Sequence, residues 1–387
     1  MDIREEVKEL EVDVKGYRRH LHMYPEIRLE LPNTRDYIVK QLRLFGFKEE
    51  DIDTNLMENA VIAQIKVEGC NSSVGFRADM DALPMKEHND LSFASTNDYM
   101  HACGHDGHMA ALLGLAKLLM TQKEKLRETI TFVFQPAEEG PGGAQILIEN
   151  GLFETYPMHA IFGTHLMGEL AEGVVATRCG SLMARNGEIQ VQIKGKGTHG
   201  ATPHLGSDAI VAGAYFVTQL QSIVARNMDP LKSGVVTIGS FHGGSAENII
   251  SEEVHMEGTI RSFDDESYNL IKKRIYEIAK GIELSFKVTI DIDIEDYYFV
   301  VHNDKDLYEL MKTALQDDLA DVNPKMAAED FSFYQQKVKG LFYFVGTNST
   351  LYKHHLHNAS FNFDERVLLT IIESNLRILE TMGVYND

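Results

Sequence analysis

The chain changes texture twice, and this limits its architecture more than any other feature. Between residues 59 and 165, short apolar runs at 59–66, 73–79, 129–134 and 160–165 alternate with an apolar-periodic stretch at 107–120 and a Gly-rich helix start at Gly142. Buried-looking strands alternating with helices predict an α/β layer architecture. From about Gly180 the pattern differs. Residues 188–194 read EIQVQIK, a strand with one wet face. A helix over 208–225, strands over 234–238 and 255–263, a helix over 266–282 and a strand over 285–292 complete a compact α+β unit. The α/β pattern then returns, with a helix near 305–315, a strand at 341–345 and a closing helix at 365–379. The simplest organisation is a discontinuous α/β domain, residues 1–178 and 295–387, with an α+β domain, residues 179–294, inserted into it.

A chain of 387 residues is long enough for two hydrophobic cores. Its 58 acidic against 37 basic residues give a net charge of -21, which argues against nucleic acid or an anionic membrane as partner. The first residues, MDIREEVKELEVDVKGYRR, are charged throughout and lack the apolar stretch of a secretory signal. The three cysteines are odd in number and widely spaced, so no disulfide framework is expected. A cytoplasmic location follows as the expectation.

Four local patterns carry chemistry. His101-Ala-Cys-Gly-His-Asp-Gly-His108 joins thiol and imidazole, the donors borderline divalent metals prefer. Read as an extended segment, it places Cys103 and His105 on one side. Gln135-Pro-Ala-Glu-Glu-Gly-Pro-Gly-Gly143 follows an apolar strand, where α/β proteins place active sites. Adjacent residues project differently, so one of Glu138 and Glu139 can bind metal while the other acts as base. Phe76-Arg-Ala-Asp-Met-Asp-Ala-Leu-Pro84 ends a strand with Asp79 and Asp81 on one face, suited to orienting ligand imidazoles. His165 ends another strand, and His354, His355 and His357 cluster late in the chain. Alone, each pattern reads first as a helix cap, an acidic turn or a structural histidine. Together they supply the donors, base and supports of a binuclear metal site.

These motifs resemble the M20 metallopeptidase family, in its amidohydrolase branch of N-acyl amino acid, hippurate and auxin-conjugate hydrolases. The resemblance also rests on RRHLHMYPE (residues 18–26), GKGTHGATPH (195–204), AEDFSFY (328–334) and HNASF (357–361). It implies a zinc-exopeptidase type of catalytic domain with an inserted lid and dimerisation domain. It further implies Cys103, His105, Glu139, His165 and His357 as ligands of two divalent ions, whether manganese, zinc, nickel or cobalt. His357 is preferred to its neighbours because the family's late His precedes a Phe by four residues, here Phe361. Glu138 would be the general base and acid for a metal-activated water, with Asp81 in support. His199, from the lid of a partner subunit, would polarise the scissile carbonyl, and Asn248 and Arg261 would hold the substrate carboxylate.

Two departures bear on the substrate pocket. Asn248-Ile-Ile-Ser lacks the proline common after the lid Asn, and Leu-Met-Gly follows His165 where an aromatic or proline is common. The expected reaction is hydrolysis of N-acyl, above all N-acetyl, amino acids by a homodimer. The stretches GPGGA and GGSAENII resemble deacetylases that act on N-acetyldiaminopimelate. A dipeptidase using the same groups and a non-catalytic amino-acid-binding protein are the alternatives.

Overall fold

The computed structural model describes residues 1–386 and divides into two compact units. The first comprises Met1–Leu182, His302–Asn323 and Asp330–Asp387; the second comprises Met183–Val301 with Pro324–Glu329. In chain order, the first unit opens with helices α1 (Glu11–Met23) and α2 (Pro32–Phe45) and strands β1 (Ile52–Asp53), β2 (Val61–Ile65) and β3 (Ser73–Asp79). It continues with α3 (His105–Thr121), β4 (Thr129–Gln135), α4 (Gly143–Glu149), β5 (Met158–Ala171) and β6 (Val175–Thr177). The second unit contains β7 (Arg185–Lys194), β8 (Thr198–His199), α5 (Ala209–Ser222), β9 (Gly234–Gly243), β10 (Ile249–Ile250), β11 (Glu253–Ser262), α6 (Asp265–Phe286) and β12 (Thr289–Asp296). The first unit then resumes with α7 (Lys305–Leu315), β13 (Leu319–Asp321), β14 (Lys339–Asn348) and α8 (Val367–Thr381).

The first unit is built on an eight-stranded sheet in the order β1-β2-β4-β3-β5-β14-β6-β13. Strands β4, β3, β5 and β14 are mutually parallel, and every residue of β3 and β4 is buried. Such strands have no wet face because helices cover both sides, which explains their unbroken apolar character. Helix α3 is buried along nearly its whole length, so its sequence is apolar all round rather than striped. It starts at Gly104, whose φ of 85° lies in the left-handed region. The expected extended run through Cys103 and His105 is therefore a turn entering a helix.

In the second unit an antiparallel sheet, β9-β11-β7-β12, packs α5 and α6 against one face. The burial of β7 and β11 alternates as the sequence pattern requires. Helix α6 runs to Phe286, through residues expected to begin a strand, and ends at Lys287 in the left-handed conformation. No helix among the described residues is long and apolar enough to cross a membrane.

Candidate metal centre

Strand β3 delivers Asp79 and Asp81, the turn into α3 delivers Cys103 and His105, the turn after β4 delivers Glu138 and Glu139, and β5 delivers His165. Asp79, Asp81, Glu138 and Glu139 lie at or just past the ends of parallel strands, where side chains converge, whereas His165, expected to end its strand, lies within β5. Among the donor groups that result, two share Glu139. One joins Cys103, Glu139 and His357; the other joins His105, Glu138 and Glu139. Cys103 Sγ lies 3.3 Å from His357 Nε2 and 3.4 Å from His165 Nε2, and Glu139 Oε1 lies 3.1 Å from His357 Nε2. Glu139 is common to both groups, so they adjoin. His354 and His355 join neither.

Hydrogen bonds settle which ring nitrogens face the centre. His105 Nδ1 sits 2.7 Å from the Asp81 carbonyl oxygen, which can only accept, so Nδ1 carries a proton and Nε2 is the nitrogen left to face the centre. By the same reasoning His165 Nδ1 donates to the Leu166 carbonyl oxygen at 2.6 Å. Its Nε2 is the nitrogen turned towards Cys103. His105 Nε2 is buried and makes no hydrogen bond. A buried polar atom left unsatisfied is costly, and one at the meeting of thiol, imidazole and carboxylate fits a divalent cation.

Asp81 does more than its place at a strand end suggests. Its two carboxylate oxygens accept from the backbone N–H groups of Glu138 (3.0 Å) and Glu139 (3.1 Å), fixing the turn that presents both. Asp79 lies 2.6 Å from His108 Nδ1 and accepts from Arg77 Nη1 at 2.8 Å.

The electrostatics describe a pocket that holds excess negative charge. Burial alone would lower the pKa of His105, but the charges of Asp79, Asp81 and Glu139 raise it to about 10. Burial and the nearby Glu139, Glu138 and Asp79 push the Cys103 thiol well up. Burial also opposes ionisation of Glu139, yet His357 and His105 hold its carboxyl below the usual range. Burial and the neighbouring His108 keep His165 neutral.

A region to which the motifs assign no chemistry lies beneath α3. Arg18 and His22, from α1, meet Asp106 at 3.2 and 2.8 Å, His22 also meets Glu87 at 3.0 Å, and Arg18 stacks on Phe363 at 3.7 Å. This is what RRHLHMYPE does: it anchors the first turn of α3 through Asp106. Arg77, Gln135 and Asp330 form a second buried network, and there AEDFSFY makes its contribution.

The second unit separates the remaining three residues. His199 pairs with Ile249 across β8 and β10, and the Gly200 N–H donates to the Asn248 carbonyl at 2.7 Å, so His199 and Asn248 share one pocket. That pocket reaches Ser251, Glu252 and Glu253, at the start of β11. Arg261 is at the other end of β11, opposite Val235 and Asn186, and donates to the Thr259 hydroxyl and the Ile260 carbonyl. Arg261 is eight residue steps along the strand from Glu253, roughly 26 Å at strand rise. Within one copy of this unit the three residues do not converge.

The sequence pattern of peptidase family M20/M25/M40 matches residues 75–381. The chain belongs to this family. An N-acetyldiaminopimelate deacetylase of Bacillus velezensis is 37% identical over 360 residues, 92% of this chain and 94% of that one. The enzyme of the same name from Bacillus subtilis is 36% identical over the same shares. A crystal structure of the Bacillus subtilis YXEP protein, described as a dinuclear metal binding peptidase from the M20 family, superposes with a TM-score of 0.84 at 30% identity, covering 97% of this chain and 99% of that one. A protein from methicillin-resistant Staphylococcus aureus superposes with a TM-score of 0.91 at 33% identity, with 98% of each chain covered. This M20 chain is a metal-dependent amidohydrolase. Its family and its dinuclear relative support two divalent cations.

Proposed function

We propose that the enzyme removes the acetyl group from N-acetyl amino acids, with N-acetyldiaminopimelate first among them. The substrate reading rests on the curated relatives, which share 36–37% identity across nearly the whole chain and bear that name. The reaction reading rests on one observation: Glu138 and Glu139 are fixed through their backbone by Asp81, beside an imidazole nitrogen that lacks a hydrogen-bonding partner.

In this reading Cys103, Glu139 and His357 hold one cation, and His105 and His165 hold the other with Glu139 adjacent. When bound, the two cations supply Lewis acidity to the amide carbonyl and to the attacking water. Sulfur and imidazole donors favour zinc, cobalt or nickel over manganese. Glu138, buried at 7% exposure, takes the proton from the water and passes it to the leaving amine. Asp81 acts on Glu138 only through the backbone, so it is a positioning residue.

The lid residues are divided between two copies of the chain. His199 and Asn248 of the partner subunit donate to the acyl oxygen and the substrate carboxylate, while Arg261 clamps the carboxylate in its own subunit. The length of β11 between Arg261 and the pocket of His199 and Asn248 supports this division. An exposed apolar surface on the lid supports pairing with a second copy. Ile210, Val211 and Tyr215 of α5 and Phe241 of β9 are exposed, and β9 is an edge strand with an unpaired side. Phe241 lies against α5 at Gly213, so the apolar residues form one patch.

The test is amine release from N-acetyldiaminopimelate, other N-acetyl amino acids, hippurate and dipeptides by stripped protein reloaded with zinc, cobalt, nickel or manganese. Metal-dependent release from acetylated substrates is expected. Glu138→Gln should retain both metals and lose about 10²- to 10⁴-fold in kcat. Cleavage of dipeptides alone would overturn the substrate reading, and near wild-type turnover by Glu138→Gln would remove the base.

A further inference from the structure

His108 lies within reach of Asp79, His105 and His165 and has the donors of a fourth metal-binding imidazole. Its hydrogen bonds say otherwise. Nε2 accepts from the Leu166 backbone N–H at 2.9 Å, and Nδ1 lies 2.6 Å from an Asp79 carboxylate oxygen. A backbone N–H can only donate, so Nε2 must carry the lone pair and Nδ1 the proton. Both nitrogens are then committed, and none remains for a cation.

The need for this bond comes from the sheet. Strand β3 pairs with β5 only as far as Arg77 opposite Gly163, while β5 runs on through His165 to Ala171. Beyond Gly163, the edge of β5 that faced β3 has no strand beside it. Leu166 exposes its N–H and its C=O to that side, and buried backbone groups require partners. Two imidazoles supply them: His108 accepts from the N–H, and His165 donates to the C=O.

We infer that His108 is a positioning residue for His165: by accepting from the Leu166 N–H it holds the residue whose carbonyl fixes the tautomer and rotation of the ligand imidazole. The support extends inward. Asp79 is held by Arg77, and Arg77 donates to Gln135 at 2.8 Å and to Asp330 at 2.6 Å. Asp330, more than 160 residues from His165 in sequence, thus reaches it through three side chains, Arg77, Asp79 and His108, and the backbone of Leu166. The inference rests on the reading of His165 as a ligand.

Two substitutions separate the two bonds of the ring. In His108→Asn the amide occupies the place of Nδ1, keeping the Asp79 contact and losing the acceptor for Leu166. In His108→Gln the amide oxygen occupies the place of Nε2 and keeps that acceptor. Cobalt(II) would be titrated into stripped, full-length protein, following affinity, stoichiometry and the visible absorption of the bound ion. His108→Asn should bind one of its two ions roughly 10- to 100-fold more weakly, and His108→Gln should stay within about threefold of the wild type. Wild-type affinity in His108→Asn would overturn the inference. So would a fall to one cobalt per subunit in both variants, because His108 would then be a ligand. His165→Ala, run alongside, distinguishes a failure of the ligand reading: two tightly held ions there would remove His165 from the site. Should His108→Asn not fold, a weakening in His108→Gln as large as that in His165→Ala would overturn the inference by itself.

Discussion

At the scale of single residues, the centre is defined by where protons sit before a cation arrives. Cys103 is held as a thiol by burial and surrounding carboxylates, and His105 is raised to about 10 chiefly by Asp79 and Asp81 working against burial. Both groups must be deprotonated to act as ligands, so metal binding displaces protons. Zinc binding at pH 7, measured calorimetrically in buffers of different ionisation enthalpy, should release about two protons per subunit from these groups. Apparent affinity should therefore rise with pH from 6 to 8. Cys103→Ala should release about one proton fewer and hold one ion weakly. An unchanged proton count in that variant would show that the thiol is not a ligand.

The same residues show how far sequence reading extends to a site. The types in HACGHDGHMAA and QPAEEGPGGA announce metal chemistry, because thiol, imidazole and paired carboxylate seldom assemble for other reasons. Their geometry is less legible. The left-handed Gly104 turns the expected extended segment into a helix entry, and Cys103 and His105 serve adjoining groups rather than one side of a strand. The role of His108 is hidden too, since it depends on β5 outrunning β3, a register that no local pattern encodes.

At the scale of elements, the turn from β4 to α4 presents Glu138 and Glu139, and Gly143 allows it to close. A Cβ at Gly143 would lie 1.8 Å from the Pro136 carbonyl oxygen, a backbone atom with no room to yield. Gly143→Ala should cost several kcal/mol, on the order of 3 kcal/mol or more, and weaken metal binding by displacing the turn. Thermal unfolding and cobalt titration would check both effects, and a wild-type profile in each would show that the turn has slack. Helix α3 is fixed from below by His22. Burial lowers the pKa of His22, but hydrogen bonds to Asp106 and Glu87 outweigh this and raise it to about 9. A pKa raised above the ordinary value of about 6.5 means stability that is full below pH 6.5 and lost as pH rises through 9. The contribution is on the order of 3 kcal/mol. The Tm advantage of the wild type over His22→Gln should be largest near pH 6 and shrink towards pH 9.5; a constant difference would mean that His22 is neutral in the folded protein. Long apolar or amphipathic elements, such as α3 and α7, appear where the sequence places them. The end of α6 does not, because SFKVTI alternates like a strand although its first residues complete the helix face of Ile271, Ile275, Ile278 and Ile282.

At the scale of the whole molecule, β11 separates His199 and Asn248 from Arg261 by most of its length, and this makes the number of chains in one site an experimental question. If each site takes His199 from one subunit and Arg261 from the other, two inactive variants can repair each other. Mixed dimers of His199→Ala and Arg261→Ala contain one site that lacks both groups and one that has both. Random association yields half mixed dimers, each with one complete site, so activity should recover to about a quarter of wild type. A site assembled within one chain would never recover, because every site in the mixture would lack one of the two groups. The exposed patch of α5 and β9 supplies the control. Val211→Glu with Tyr215→Asp places charge on the apolar surface, and light scattering should show monomers that keep their metal but lose turnover. Recovery from the mixed variants, abolished when the same two charges are added to both, would locate the shared site and the surface that creates it in one set of measurements.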